Sequence, residues 1–203
     1  MDKKKTAAQS RAGKVAKTRL KIVEAAAACF ITKGFHQSSM RDIATLAGVS
    51  LGNLYNHFEN KAELIKGLAE LEAQENAVLL RLLEDTQSPT STFHTFIERY
   101  FTIVRAPDNA ALTAEIFSEA MRNDAIYQIF DKNRQSLIQA LNGLLIAGQK
   151  TGDFKSDLSI PSLTPLILDL IEASALRIAL AGGEGAKEDG KLLLSVIDLW
   201  VKA

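Results

Sequence analysis

Apolar residues recur at intervals of three or four through most of the chain, and strand-like alternation is almost absent. That pattern, rich in Ala, Leu, Glu, Lys and Ile, predicts an all-α protein. Residues 1–13 are polar and read as a tail that stays disordered until something binds it. A first helix is expected from about Gly13 to Lys33, with Leu20, Val23, Ala27 and Phe30 on one face. Gly34 can stop it in a left-handed cap, and Phe35 then folds back as a core anchor. Three helix starts follow closely. Ser39 with Asp42 forms a capping box whose helix ends near Gly48. Ser50 caps a helix to about His57, and Asn60 with Glu63 opens a longer one to about Glu84. DTQSPTS, residues 85–91, reads as a linker. Helices are then expected at 92–105, 109–122, 123–149 and 161–181. After the loop GGEGAKEDG comes a last one at 191–202.

Charge changes this picture more than composition does. The chain is neutral as a whole, yet residues 1–66 hold 12 Lys or Arg against 5 Asp or Glu, and residues 67–203 hold 12 against 19. A basic module on an acidic body suits a nucleic-acid partner for the first part. The single cysteine, Cys29, excludes an internal disulfide, and in the run AAAACF it reads as a small core residue. No apolar run is long enough for a membrane span, and no apolar signal core follows the basic N-terminus. No membrane partner is therefore expected, and a cytoplasmic protein is. His36, His57 and His94 stand in no metal-ligand pattern, and no phosphate loop or nucleophile–base spacing appears. Neither an enzyme nor a metal or other cofactor is expected.

The stretch SSMRDIATLAGVSLGNLYNHFENKAELI, residues 38–65, carries the chemistry. Two short helices joined by a glycine-containing turn of about three residues describe a helix-turn-helix. Ile43, Ala44 and Ala47, with Val49, Leu54 and Phe58, are its inward positions, and Gly48 supplies a positive φ in the turn. Arg41, Ser50, Leu51, Gly52, Asn53, Tyr55, Asn56 and His57 are left on or near the outside. Leu51, Gly52 and Asn53 begin the second helix, the end that enters a major groove in this geometry. Asn53 suits an adenine edge and Leu51 a thymine methyl. Gly52 disfavours a helix by about 1 kcal/mol against Ala, a penalty that close approach to DNA would offset. Ser39, Tyr55, His57 and Lys61 suit phosphate contacts, which position without specifying sequence.

The segment IVEAAAACFITKGFHQSSMRDIATLAGVSLGNLYNHFENKAELI resembles the DNA-binding domain of the TetR family of bacterial repressors. The likeness runs from Ala26 and Phe30 through Gly34-Phe35, Ser38-Ser39, Ile43 to Ser50 and Gly52 to Phe58, and closes at Lys61, Glu63 and Leu64. Thr is commoner than Ser at the second position of the Ser38-Ser39 pair, but Ser caps as well. The resemblance implies phosphate contacts from Tyr55, His57, Lys61 and the helix start after Ser39. It places Ser50, Gly52, Asn53 and Asn56 at or near base edges. The basic tail before Arg19 is longer than in many similar proteins. It either reaches an adjacent minor groove or only aids solubility.

The expected organisation is a tail at 1–13, a three-helix DNA-binding domain at 14–66 and a helical regulatory domain at 67–203. Dimer formation and ligand sensing are implied for the last. A homodimer would set two reading helices one turn, about 34 Å, apart on a palindromic site. The run LTPLILDLIEASALRIALAG is apolar on more than one stripe. Leu166, Ile167, Leu170, Ile171, Ser174 and Ala175, with Leu193, Val196, Ile197 and Trp200, are the candidate dimer face; the alternative is that these helices are core alone. A mostly apolar pocket for a small apolar or amphipathic effector is expected around Phe96, Tyr100, Glu115, Phe117, Glu119, Tyr127 and Arg177, though each polar member also suits the surface. The function expected is a ligand-released repressor acting on double-stranded DNA. The alternative is a regulator or activator without a small-molecule ligand, controlled by a protein partner.

Overall fold

A computed structural model describes residues 2–182 and 186–202, with the backbone alone for 2–11 and 186–187. Among the described residues the helices are α1 (Asp2–Lys33), α2 (Met40–Ala47), α3 (Leu51–Tyr55), α4 (Lys61–Leu83), α5 (Pro89–Val104), α6 (Pro107–Ala120), α7 (Asp124–Thr151), α8 (Ile160–Leu180) and α9 (Ala186–Val201). The fold is all-α, as the periodicity predicted. None of the described helices is long and apolar enough to cross a membrane.

Several boundaries move, each for a local reason. α1 starts at Asp2 rather than near Gly13; residues 2–11 are rich in helix-compatible Lys, Ala and Gln. α5 begins inside the expected linker because Pro89 stands at its first turn, where a missing N–H costs nothing. α9 begins before the expected Lys191, and Glu188 and Asp189 in its first turn suit the positive end of the helix dipole.

The chain divides into two compact units. The first comprises Met1–Leu71 and Glu115–Tyr127, so a piece of α6 and the start of α7 join the N-terminal helices. Its interior holds Ile22, Val23, Ala26, Phe30, Ile43, Ala44, Leu54, Phe58, Leu64 and Leu68, all buried. Leu20, expected on the inner face, is 42% exposed; helical spacing continues past the point where there is a neighbour to pack against. Cys29 is buried, which pushes its thiol pKa up and makes it the small core residue that the sequence suggested.

The second unit comprises Glu72–Ala114 and Gln128–Ala203. Here α5 packs against α8 and α9. Phe93, Phe96, Leu141, Leu144, Leu145, Ile167, Leu168, Ile171 and Ile197 form its core. Phe93 meets Phe154 edge to face at 5.6 Å. Phe154 in turn sits on Gly148, where an added Cβ would lie 2.1 Å from the ring. The backbone N–H of Lys155 donates to Val201 O at 2.9 Å and ties this loop to the end of α9.

Candidate nucleic-acid interface

Three side-chain caps shape the surface formed by α2, α3 and the start of α4. Ser39 accepts from Asp42 N–H at 3.1 Å, and Ser39 N–H donates back to Asp42 Oδ2 at 3.0 Å. Ser50 Oγ accepts from Asn53 N–H, and Asn60 Oδ1 from Glu63 N–H, each at 3.1 Å. These bonds satisfy backbone donors that a helix start leaves open. The Ser39 hydroxyl, donating to Asp42, and then Lys33 at 2.9 Å hold the Asp42 carboxyl well below the usual carboxylate range. Gly48 ends α2 at φ +66°, a conformation that resists other side chains.

The outward positions divide by what already holds them. Arg41, Tyr55 and Asn56 are exposed, and Leu51, Asn53 and His57 are half-buried. The hydroxyls of Ser39 and Ser50 serve their own helix starts, each capping through its side-chain oxygen. Gly52 is exposed, its φ is not positive, and a Cβ there would meet nothing within 4 Å. Neither strain nor crowding within the protein calls for glycine at this position. Lys61 is placed differently from the phosphate contact expected of it. Its Nζ donates to Phe35 O at 2.7 Å and His36 O at 3.3 Å, and lies 4.5 Å from the Phe35 ring centre. One of its three N–H bonds is left for any further acceptor.

The turn after α1 is held from several sides. Ser38 Oγ lies 2.8 Å from Gly34 O and 3.0 Å from Cys29 O, buried, and donates to that pair. Phe35 packs edge-on against Phe30 at 5.1 Å. Glu115 Oε2 accepts from Phe35 N–H at 3.0 Å, and Glu119, one turn further along α6, lies 2.8 Å from His36 Nε2. Arg19, sequence-adjacent to nothing in the motif, stacks over Phe58 at 4.3 Å and reaches Glu70 at 2.9 Å. No sequence signal marks Glu115 or Glu119 as partners of a turn some 80 residues earlier.

Residues 22–68, which span all of this surface but the α1 tail, match the family described as bacterial regulatory proteins, tetR family. Over 157 residues the chain is 31% identical to the HTH-type transcriptional regulator UidR of Escherichia coli K12, covering 75% of this chain and 77% of that one. The chain belongs to the TetR family. Its fold is that of a TetR transcription regulator from Haloarcula marismortui, with a TM-score of 0.80 at 16% identity over 92% of this chain and 100% of the other. It is also that of the transcriptional regulator FadR from Bacillus subtilis, solved in complex with stearoyl-CoA, with a TM-score of 0.75 at 21% identity over 87% and 97%. Membership makes this chain a DNA-binding transcriptional regulator and accords with the sequence reading that it is not an enzyme.

In this TetR-family chain the residues expected around an effector divide between the two units. Glu115 and Glu119 have another task, holding the Phe35-His36 turn. Phe117 and Tyr127 are about half exposed. In the second unit Phe96 and Tyr100 are buried and stack with ring centres 5.6 Å apart. Tyr100 Oη donates to Glu172 Oε1 at 2.6 Å, and Arg134 donates to both Glu172 oxygens and to Asp169. Asn133 donates to Glu72 at 2.6 Å. Burial raises the pKa of Glu72, Glu172 and, most strongly, Tyr100. The sequence reading missed Glu72, Arg134 and Glu172, because single charged residues inside apolar helices look like surface groups. Arg177 lies elsewhere, in an open groove of about 490 Å³ with Leu170, Ser174, Leu192 and Val196.

The expected dimer face needs a correction. Ile167, Ile171, Ala175, Leu193 and Ile197 are buried in the core of their own unit and are not available to a partner. Leu166 and Trp200 are exposed, and Leu170, Ser174 and Val196 are half-buried. Leu192, Leu199 at 75% exposure and Leu180 add to the outward apolar surface of α8 and α9. Both stripes of α8 are apolar, so the sequence could not say which one faces inward.

Proposed function

We propose that this protein is a repressor that binds a palindromic operator as a homodimer and leaves it when a small apolar or amphipathic effector binds. The observation that carries the DNA half is the pairing of the capped α2–turn–α3 surface with Gly52. The start of the reading helix carries Leu51, Gly52 and Asn53, with a glycine that nothing in the protein requires and that close contact with a base edge would explain. Asn53 would pair with an adenine edge, and Arg41, Tyr55 and His57 would hold phosphates.

Dimer formation rests on the outward face of α8 and α9. Leu166, Leu192, Leu199 and Trp200 are large apolar groups exposed on two helices that pack together, and burying such a patch against its twofold copy stabilises association. Effector control rests on the second unit, where an aromatic stack adjoins a network of buried Tyr100 with half-buried Arg134 and Glu172. An amphipathic molecule has apolar contacts and a polar anchor there. The B. subtilis regulator of similar fold, solved with the amphipathic stearoyl-CoA, supports this reading. Release requires only that the effector favour one arrangement of the DNA-binding units over the other.

The test is selection from randomised DNA duplexes at fixed salt, followed by sequencing of what the protein retains. The expected result is an enriched palindrome with half-sites about one helical turn apart. Uniform, weak and strongly salt-dependent retention would exclude a specific operator.

A further inference from the structure

The positive charge of the DNA-binding unit is not in its helix-turn-helix. Residues 1–21 hold 8 Lys or Arg and 1 acid, whereas residues 22–66 hold 4 Lys or Arg and 4 Asp or Glu. The entire excess therefore lies on the N-terminal part of α1. The four cations of the neutral segment are also mostly committed. Lys33 pairs with Asp42, Lys66 pairs with Glu63, and Lys61 is held by loop carbonyls. Among the described residues Arg41 is the one basic side chain of that segment outside such a contact. A surface with so little free positive charge is a poor source of the phosphate neutralisation that drives DNA association.

α1 supplies what the motif lacks. Residues 12–17 are exposed on every side of the helix. Lys14, Lys17 and Lys21, spaced by three and four, share one exposed face. Arg19 is turned the other way, onto Phe58 and Glu70. Residues 12–17, exposed all round, gain nothing from packing within the chain, and the basic charge of residues 1–21 fits a polyanion.

We propose that the N-terminal part of α1 is a second DNA contact, a helical arm whose lysines neutralise backbone phosphates beside the site read by α3. This rests on the DNA-binding role of the motif and adds to it the source of most of the electrostatic affinity. The arm contacts the backbone rather than the minor-groove floor. A helix with its side chains is about 10–12 Å across, and the minor groove is about 6 Å wide. From residue 2 to residue 21 the helix is about 30 Å long, enough to pass several phosphates.

The test uses the full-length protein, the triple variant Lys14→Gln, Lys17→Gln, Lys21→Gln, and a variant lacking residues 2–11. Gln keeps helix propensity close to that of Lys, and circular dichroism checks that each variant is folded. Affinity for the duplex enriched by wild type is measured over a series of salt concentrations. The triple variant is expected to bind at least about tenfold more weakly near 100 mM salt. Its plot of log affinity against log salt should be flatter by about 0.9 for each lysine that met a phosphate. The truncation should flatten it as well, and both should retain the wild-type sequence preference, since phosphate contacts carry none. Unchanged slopes in both variants overturn the arm while leaving the operator reading intact. Loss of sequence preference at an unchanged slope also overturns it. Failure of the wild-type protein to enrich any duplex overturns both readings.

Discussion

In the first unit, the bonds that set the helix starts join residues three apart: Ser39 with Asp42, Ser50 with Asn53, Asn60 with Glu63. In the second unit, the polar bonds that matter join residues far apart in sequence. Tyr100 reaches Glu172, Asn133 reaches Glu72, Arg134 reaches Asp169, and His94 Nε2 lies 2.9 Å from Asp198. The first arrangement is local and exposed, and needs no contact from another part of the chain. The second exists only once five helices, α4, α5, α7, α8 and α9, have met. A surface that reads DNA needs a fixed backbone more than a deep core, and local caps supply it. On the proposed function, the second unit gains from polar groups whose partners lie on different helices, because a change at one helix is felt at the others.

The same substitution in the two units should break them in opposite directions. Gly148→Ala puts a Cβ 2.1 Å from the Phe154 ring, and overpacking of this kind costs about 1–3 kcal/mol. Gly52→Ala puts a Cβ into open space and should stabilise the helix by up to about 1 kcal/mol, while weakening operator binding. Denaturant unfolding and DNA titration of both variants decide the matter. A Gly52→Ala protein that is more stable and binds DNA as well as wild type removes the argument that this glycine serves close approach.

A smaller effect is expected at the cap. Ser39→Ala removes the acceptor of Asp42 N–H and the donor to its carboxylate, and should destabilise the first unit by about 1 kcal/mol. Hydrogen exchange should speed up in α2 and leave α5 and α8 unchanged. Faster exchange across both units would show that the cap is not a local device.

The smallest effect is in the pH dependence, where the two units should differ in sign. The folded-state pKa of Asp42 is depressed, first by Ser39 and then by Lys33. Its contribution is present above the unfolded value of about 3.9 and is lost as pH falls through the lower folded value. Burial raises the pKa of Glu172 and Glu72. Their contribution is complete below the unfolded value of about 4.3 and is lost as pH rises through the folded value. Glu172→Gln, which keeps an acceptor for Tyr100, should therefore flatten the pH dependence above about 4.3 and leave the acid limb in place. Thermal melts between pH 3 and 8 test this, and an unaltered curve would remove Glu172 from the account.

Much of the first unit was legible before the structure. The capping pairs, Gly48 in the turn and the inward set Ile43, Ala44, Leu54 and Phe58 all follow from spacing, because a helix start and a helix face are properties of a few neighbouring residues. Legibility failed where a partner was distant. Leu20 has helical spacing but no neighbour to cover it, and Lys61 looks like an exposed phosphate ligand until Phe35 and His36 present their carbonyls.

The sequence by itself determined that the chain is helical, that the second helix of its motif begins at a capped Ser50, and that its positive charge collects ahead of the motif. Those are consequences of residue order acting over one or two turns, and charge needs no fold to be counted. Only the tertiary structure decided that Glu115 and Glu119 grip a turn of the first unit, and that Glu172 is a half-buried hub. It alone decided that Ile167, Ile171 and Ala175 face the core while Leu166 faces out. An apolar residue on an all-apolar helix is inside or outside only by virtue of what packs against it, and a buried charge is recognisable only once its partner has been brought within hydrogen-bond distance.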